Sequence, residues 1–470
     1  PDVRLLPPPQ RRGVAAGLAA APPTRTVKFS FSERAHMSET PYGEWESPVA
    51  AADVAADTLR FGSVALDDGS VYWLERRPDE EGRGVVVRAD AGDPDDPVEV
   101  TPADADVRTL VHEYGGGDFA VQDGTVVYAA FSDQRLYRID DDADEATPIT
   151  PEPETEHGLR YADIEVGPDG ERLYAVRERH EGEGFDAEAI NELVTLPADG
   201  SEPPEVVASG HDFYSFPRLS PDGDRLAWTT WDHPRMPWDG TELHVAEVAD
   251  GGGLRDERVV MGGPDESVFQ PGWSPDGELH AVSDRTGWWN LYAVDADGED
   301  EPRNRTPDEA EFGVPQWSFG SSTYAFLDDG RVAVLRNSDG EGALCLIDAD
   351  DELTEADLPF SAYPHARLAT DGEALAFVGG GPATPSTVAR WTPGDESAGE
   401  PTHLQQSFSL DLPDEMVAEP EHVDVPTRDG ETTHAFYYPP TNADERALEG
   451  EKPPLVTMVH GGPTSQTLPI

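Results

Sequence analysis

Two stretches carry residues whose types and spacing suit chemistry. The first is His460-Gly461-Gly462-Pro463, which follows the apolar run Leu455-Val456-Thr457-Met458-Val459. The run reads as a buried strand ending in a tight turn. Glycines at such a turn let a backbone N–H approach an anion with no Cβ in the way, so Gly461 and Gly462 suit an oxyanion site. A plain turn would use the same residues. The second stretch is His112-Glu113-Tyr114 ahead of Gly115, Gly116 and Gly117. Glu113 could hold the amino group of a ligand, with His112 and Tyr114 beside it; a surface loop is the competing reading.

Other candidates carry less. Asp284-Arg285 is either an ion pair or a contact for a carboxylate. His211, His233, His280, His365 and His434 show no metal-ligand spacing, so no metal and no other cofactor is expected. His233, between Asp232 and Pro234 and near Trp231 and Trp238, reads as a packing residue. Cys345 lies in the apolar run Ala343-Leu344-Cys345-Leu346-Ile347 and reads as a buried, inert thiol. The sequence contains no Gly-x-Ser-x-Gly, and Ser465 is too near the glycine turn to serve as its nucleophile.

The elements that must position these residues recur. An apolar strand, a turn that usually carries Asp-Gly, a strand with an aromatic, and a third strand repeat from about residue 60. The turns include Asp68-Gly69, Asp123-Gly124, Asp169-Gly170, Asp222-Gly223, Asp276-Gly277 and Asp371-Gly372, and Trp317-Ser318-Phe319-Gly320 fills the gap before the last. The turn glycines follow one another at 43 to 55 residues, the mark of a β-propeller, with about seven blades. Gly supplies the positive φ and Asp closes the turn through its own side chain, so these turns are structural. After Gln405 the period stops. A hairpin over 422–438, a polar acidic loop and the strand into His460 read as the opening of an α/β-hydrolase sheet. The fold class is therefore all-β, a seven-bladed propeller followed by the first strands of an α/β-hydrolase domain. Residues 37–415 are assigned to the propeller and 416–470 to the start of the second domain. The strand into His460 needs neighbours on both sides, so residues after about 415 are expected to be poorly supported.

Several longer runs resemble the prolyl oligopeptidase family of serine peptidases, most closely its dipeptidyl-peptidase and acylaminoacyl-peptidase branch. They are Tyr42-Gly43-Glu44-Trp45, Val111 to Gly117, Asp212 to Gly223, Trp231 to Pro234, Met236 to Leu243, Ser283 to Tyr292 and His460 to Thr464. The resemblance covers about residues 41–470. It implies a propeller that restricts access to an α/β-hydrolase domain whose Ser-Asp-His triad cleaves short peptides, and it implies that Gly462 and Gly461 contribute to the oxyanion hole. The departure is the missing nucleophile elbow, which should lie roughly a hundred residues beyond the glycine turn. The 470 residues are therefore expected to be inactive alone. The alternative is a non-catalytic propeller that binds or scaffolds.

Composition narrows the partners. Asp and Glu number 95 against 33 Lys and Arg, a net charge of −62, and the only lysines are Lys28 and Lys452. The acids are spread along the chain, as in Asp93, Asp95 and Asp96, which points to a solvated acidic surface of the halophile type and to stability that depends on salt. Nucleic-acid binding is disfavoured because phosphate contacts need clustered cations. No apolar run reaches the length of a membrane span, and a single cysteine fits a reducing, cytoplasmic compartment. Oligomeric state is left open. Residues 1–36 carry a basic surplus and Arg11-Arg12 before an Ala-rich run; they read as a poorly ordered or non-native extension ahead of Met37, in preference to a twin-arginine export signal.

Overall fold

A computed structural model describes residues 37–54, 56, 58–90, 92–141, 143, 145–181, 188–394, 399–409, 412–462 and 464–470. The expectation for residues 1–36 lies outside them. The chain divides into two compact units, one of residues up to Val54 with Asp411–Met458, the other of Ala55–Leu410 with Val459–Ile470.

The larger unit is a seven-bladed β-propeller. Its seven four-stranded sheets span 60–99, 119–148, 159–209, 213–262, 268–304, 324–355 and 368–406, each an antiparallel meander of consecutive strands. The first strand of each blade lies innermost, and in six of the seven neighbouring pairs of blades the first strands lie side by side. A blade sandwiched between two others must bury both faces, which explains why Val71-Tyr72-Trp73-Leu74 is apolar without alternation. Val71 and Trp73 join Ala374, Ala376 and Val388 of blade 7 in one hydrophobic layer, while Tyr72 and Leu74 join Phe119 and Val126 of blade 2 in the next. Seven such layers, one between each consecutive pair of blades, complete the ring.

Among the described residues the first and last blades are each built of their own consecutive strands. The seam is held by the blade 7–blade 1 layer, by Leu59 N–H donating to Ser407 O at 2.9 Å and by Gly69 N–H donating to Asp371 Oδ2 at 3.1 Å. Elsewhere the acids bridge blades in the same manner: Asp67 accepts from the N–H groups of Asp123 at 3.1 Å and Gly124 at 2.7 Å in the next turn.

The structure corrects the repeat in two places. In blade 6 the inner strand is Tyr324–Phe326 and the second is Val332–Ser338, so the turn glycine is Gly330 and not Gly320. Trp317–Gly320 is a connecting segment. Each blade also has a fourth strand, such as Glu205–Ser209 or Leu353–Glu355, whose side chains are largely exposed. A polar edge strand buries little, so it has no apolar signature to read.

Four inner strands carry the same β-bulge. Gly62-Ser63, Asp163-Ile164, Phe216-Pro217 and Gln270-Pro271 each set two residues against one on the second strand. Asp163, Phe216 and Gln270 take left-handed φ values of 52°, 53° and 48° there.

In the smaller unit, Glu421–Pro426 pairs antiparallel with Thr432–Tyr437, the hairpin expected from the sequence, and Ser38–Glu39 pairs parallel with Glu445–Arg446. Trp45 Nε1 donates to Thr40 O at 2.9 Å, and its ring lies 5.0 Å from that of Tyr42. The expected buried strand into His460 is not formed. Leu455, Val456, Met458 and Val459 are 78–91% exposed, and no ladder partner accompanies them among the described residues. β-propensity without a neighbouring strand leaves the backbone to water. No helix among the described residues is long and apolar enough to cross a membrane.

Candidate functional site

Residues 111–117 form a loop between blades 1 and 2 in which His112, Glu113, Gly115, Gly116 and Gly117 all adopt positive φ. The glycines are required by close approach: a Cβ on Gly115 would collide with the carbonyl oxygen of Thr109, and one on Gly116 with that of Phe319. Phe319 N–H donates to Gly115 O at 2.9 Å, and Gly116 bridges to Phe319 in parallel. The segment read from the sequence as the blade 6 turn therefore anchors this loop, and Gly115 and Gly116 serve that anchoring.

His112 points inward. Its ring sits 4.8 Å from Phe319, 5.1 Å from Phe213 and 5.6 Å from Trp231, and its Nε2 is buried without a hydrogen-bond partner. Burial holds its pKa down at about 3, so the ring is neutral at neutral pH and has no ligand-facing charge. Glu113 and Tyr114 point the other way, to solvent. The Glu113 side chain is 74% exposed, and Arg160 Nη1 lies 2.9 Å from its Oε1. Arg160 Nη1 also donates to buried Glu178 at 3.0 Å and to Leu110 O at 3.0 Å. Glu178 in turn accepts from the backbone N–H of His112 at 2.9 Å and pairs with His180 Nε2 at 2.6 Å. One arginine thus fixes the carboxylate of Glu113 while leaving most of it open to water.

Tyr114 begins an aromatic shelf. Its ring is 5.5 Å from Trp317, which lies 4.6 Å from Trp238, and Trp317 Nε1 donates to Thr464 O at 3.0 Å. The predicted triplet is therefore split: Glu113 and Tyr114 make an acid beside an exposed aromatic surface, and His112 is a packing residue. Arg160, Glu178 and Trp317 were not legible as site residues, because Arg160 and Glu178 face each other across paired strands of blade 3 and Trp317 comes from the segment ahead of blade 6, all distant in sequence from Glu113.

The axial channel holds a cavity of about 610 Å³. Asp163, Glu165, Arg218, Gln270 and Asp371 are among its lining residues. Asp163 accepts from Phe216 N–H at 2.6 Å and from Arg218 Nη2 at 2.9 Å, so the bulged residue of one blade ties down the bulge of the next. Burial raises the pKa of Glu165 to about 7, against the pull of Arg218 3.8 Å away.

The remaining sequence candidates are placed as follows. Gly461 and Gly462 are exposed, and a Cβ on either would meet nothing within 4 Å. Arg285 pairs with Glu266 at 3.1 Å, while Asp284 accepts from Ser267 N–H at 2.8 Å, so these two neighbours are not each other's partners. His233 is exposed with its ring 5.1 Å from Phe213. Cys345 is buried, which pushes its thiol up to about 12 and leaves it inert. Burial lowers His280 to about 4 and also lowers His365. Two groups of possible metal ligands exist among the described residues: His211, Glu242 and His244, and the exposed His422, Asp424 and His434 of the hairpin. The first was missed because the linear spacing of histidines hides it. Its signal is Glu242-Leu243-His244, a Glu-x-His pair on one face of a strand.

No family model matches the chain, and no curated protein does. Among solved structures it is similar to a puromycin-hydrolyzing peptidase of Mycobacterium tuberculosis, at 36% identity and a TM-score of 0.81, over 89% of this chain and 64% of that one. It is similar also to a puromycin hydrolase, at 34% identity and a TM-score of 0.84, over 92% and 66%. Prolyl oligopeptidase B from Galerina marginata shares the fold at 15% identity and a TM-score of 0.56, over 81% of this chain and 55% of that one. The chain thus spans just under two thirds of the length of the two puromycin-hydrolysing structures.

Proposed function

We propose that this chain is the propeller-bearing part of a serine peptidase of the prolyl oligopeptidase family, of dipeptidyl- or acylaminoacyl-peptidase type. The observation that carries the reading is the 34–36% identity to puromycin-hydrolysing peptidases over about nine tenths of the chain. The runs from Val111 to Gly117 and from His460 to Thr464 support it. Catalysis belongs to a Ser-Asp-His triad outside these 470 residues, since no Gly-x-Ser-x-Gly lies within them. Gly462 and Gly461 supply backbone N–H to the oxyanion once their strand is paired in a complete hydrolase sheet.

In this reading the propeller selects short peptides. Glu113, steadied by Arg160, takes the peptide's free ammonium group, and the Tyr114–Trp317–Trp238 shelf takes an adjacent apolar side chain. His112 supports the loop from below.

A fluorophosphonate probe tests the catalytic assignment: it should label the full-length enzyme at serine and leave the 470-residue chain unlabelled. Label on the chain itself contradicts the assignment of the nucleophile, and an unlabelled full-length protein favours the binding-module reading. Glu113→Gln in the full-length enzyme should raise KM roughly tenfold for peptides with a free amino terminus and leave N-acylated peptides unaffected. Equal effects on both would remove Glu113 from substrate binding.

A further inference from the structure

Blade 4 carries a group of side chains that the peptidase reading does not use. Glu242 and His244 are alternate residues of the strand Glu242–Val248 and so share a face. His211 reaches them from just before the blade's inner strand, Phe213–Leu219. One ring nitrogen of each histidine and one carboxylate oxygen of Glu242 lie within 4.8 Å of one another, and His244 Nε2 is 3.9 Å from Glu242 Oε2. Three ligands on one tetrahedral first-row dication, with bonds of roughly 2.0–2.2 Å, stand roughly 3.3–3.6 Å apart, so the group must draw in by up to about 1 Å on binding.

The surroundings of the two rings point the same way. Asp232 Oδ2 lies 2.9 Å from His211 Nδ1, and Glu257 Oε1 lies 2.9 Å from His244 Nδ1. A carboxylate on Nδ1 keeps the proton there and leaves the Nε2 lone pair free, the arrangement that metal-ligating histidines carry. The first contact is an aligned hydrogen bond. The second is out of line and acts through charge. Asp232 is itself fixed, since its other oxygen accepts from Asp212 N–H at 2.7 Å. His244 is buried and stacked on Trp228 at 5.2 Å, and its Nε2 has the rotatable hydroxyl of Thr230 at 2.8 Å as its hydrogen-bond partner, with Glu242 Oε2 further off at 3.9 Å. A dication on two neutral imidazoles and one carboxylate retains one positive charge, which Asp232 and Glu257 offset.

We propose that His211, Glu242 and His244 bind a divalent transition-metal ion that clips the chain entering blade 4 to the third strand of that blade. Two imidazoles select such an ion over Ca²⁺ or Mg²⁺, which take shells of oxygen. That choice separates the site from the many carboxylates of the acidic surface.

The test uses the 470-residue chain in molar KCl, which screens weak binding by surface acids. Titration with Co²⁺ should show one ion with the visible absorption of a four- or five-coordinate nitrogen-containing site, displaced by one equivalent of Zn²⁺, and Zn²⁺ should raise the melting temperature. His211→Ala and Glu242→Gln, both at half-buried positions, should each weaken binding at least about tenfold. His434→Ala, in the exposed hairpin group, should leave it unchanged. Binding that survives both blade 4 variants, binding abolished by His434→Ala, or only the weak absorption of an all-oxygen shell would each overturn the proposal.

Discussion

Val71-Tyr72-Trp73-Leu74 and Leu455-Val456-Thr457-Met458-Val459 are similar words in this sequence with opposite fates. The first is no more than 2% exposed, flanked by strands on either side and by blades on both faces. The second is largely exposed and makes no ladder. Both have the composition of a buried strand, so composition does not separate them. What separates them is the supply of partners: a strand's N–H and C=O groups and its two faces are satisfied by other parts of the chain, and only the first has those parts beside it.

The sharpest way to break this comparison is to truncate one side chain in each stretch. Trp73→Ala should cost about 3–5 kcal/mol, since it opens the layer between blades 1 and 7 and removes the donor 3.2 Å from buried Glu75. The measurement is the urea midpoint in molar KCl. Met458→Ala in the same chain should change stability by no more than about 0.5 kcal/mol. Similar losses at the two positions would mean that the second stretch is packed after all.

Acid should distinguish the regions next. His112, His244 and His280 are held at about 3 to 4 by burial within the propeller, below the histidine value of the unfolded chain. The unfolded chain therefore binds more protons in that window. Their contribution is complete above about pH 6.5 and is lost as pH falls towards 4, at up to about 1.4 kcal/mol per unit for each ring. Glu165 has the opposite sign: its raised value of about 7 gives stability that is full below the usual carboxylate range and lost as pH rises through 7. Blade unfolding followed by tryptophan fluorescence should weaken from pH 6.5 to 4. Glu165→Gln should flatten the opposing trend between pH 5 and 7, and an unchanged profile in that variant would show that Glu165 is not held protonated.

Two smaller effects refine the picture. With a net charge of −62, the melting temperature should rise from dilute buffer to molar KCl, and an unchanged value would separate the acidic composition from stability. Under limited proteolysis the bonds around Leu455–Val459 should be cut before any blade strand. Equal protection would restore the buried strand that the sequence suggested.

Much of the propeller is legible because its units repeat: an Asp-Gly turn and an aromatic second strand recur in register, and third strands such as Leu193-Val194-Thr195 fall where expected. Blade 6 misleads for a physical reason. Trp317-Ser318-Phe319-Gly320 imitates the Trp273-Ser274-Pro275 form of blade 5, yet its backbone pairs with Gly115 and Gly116, some two hundred residues earlier, and no local pattern encodes that. The site divides likewise. Glu113 and Tyr114 stand out as an exposed acid and aromatic beside glycines. The inward turn of His112 depends on Phe213, Trp231 and Phe319, which only the closed ring brings together.

The bulges on the inner strands bear on what the wall of the axial cavity presents. The free edge of a regular strand is a template on which an extended peptide can zip, one hydrogen bond after another. At Gly62-Ser63, Asp163-Ile164, Phe216-Pro217 and Gln270-Pro271 that template is interrupted, and two of the interruptions place a proline with no N–H to offer. Four of the seven inner strands therefore offer no unbroken backbone ladder to the cavity.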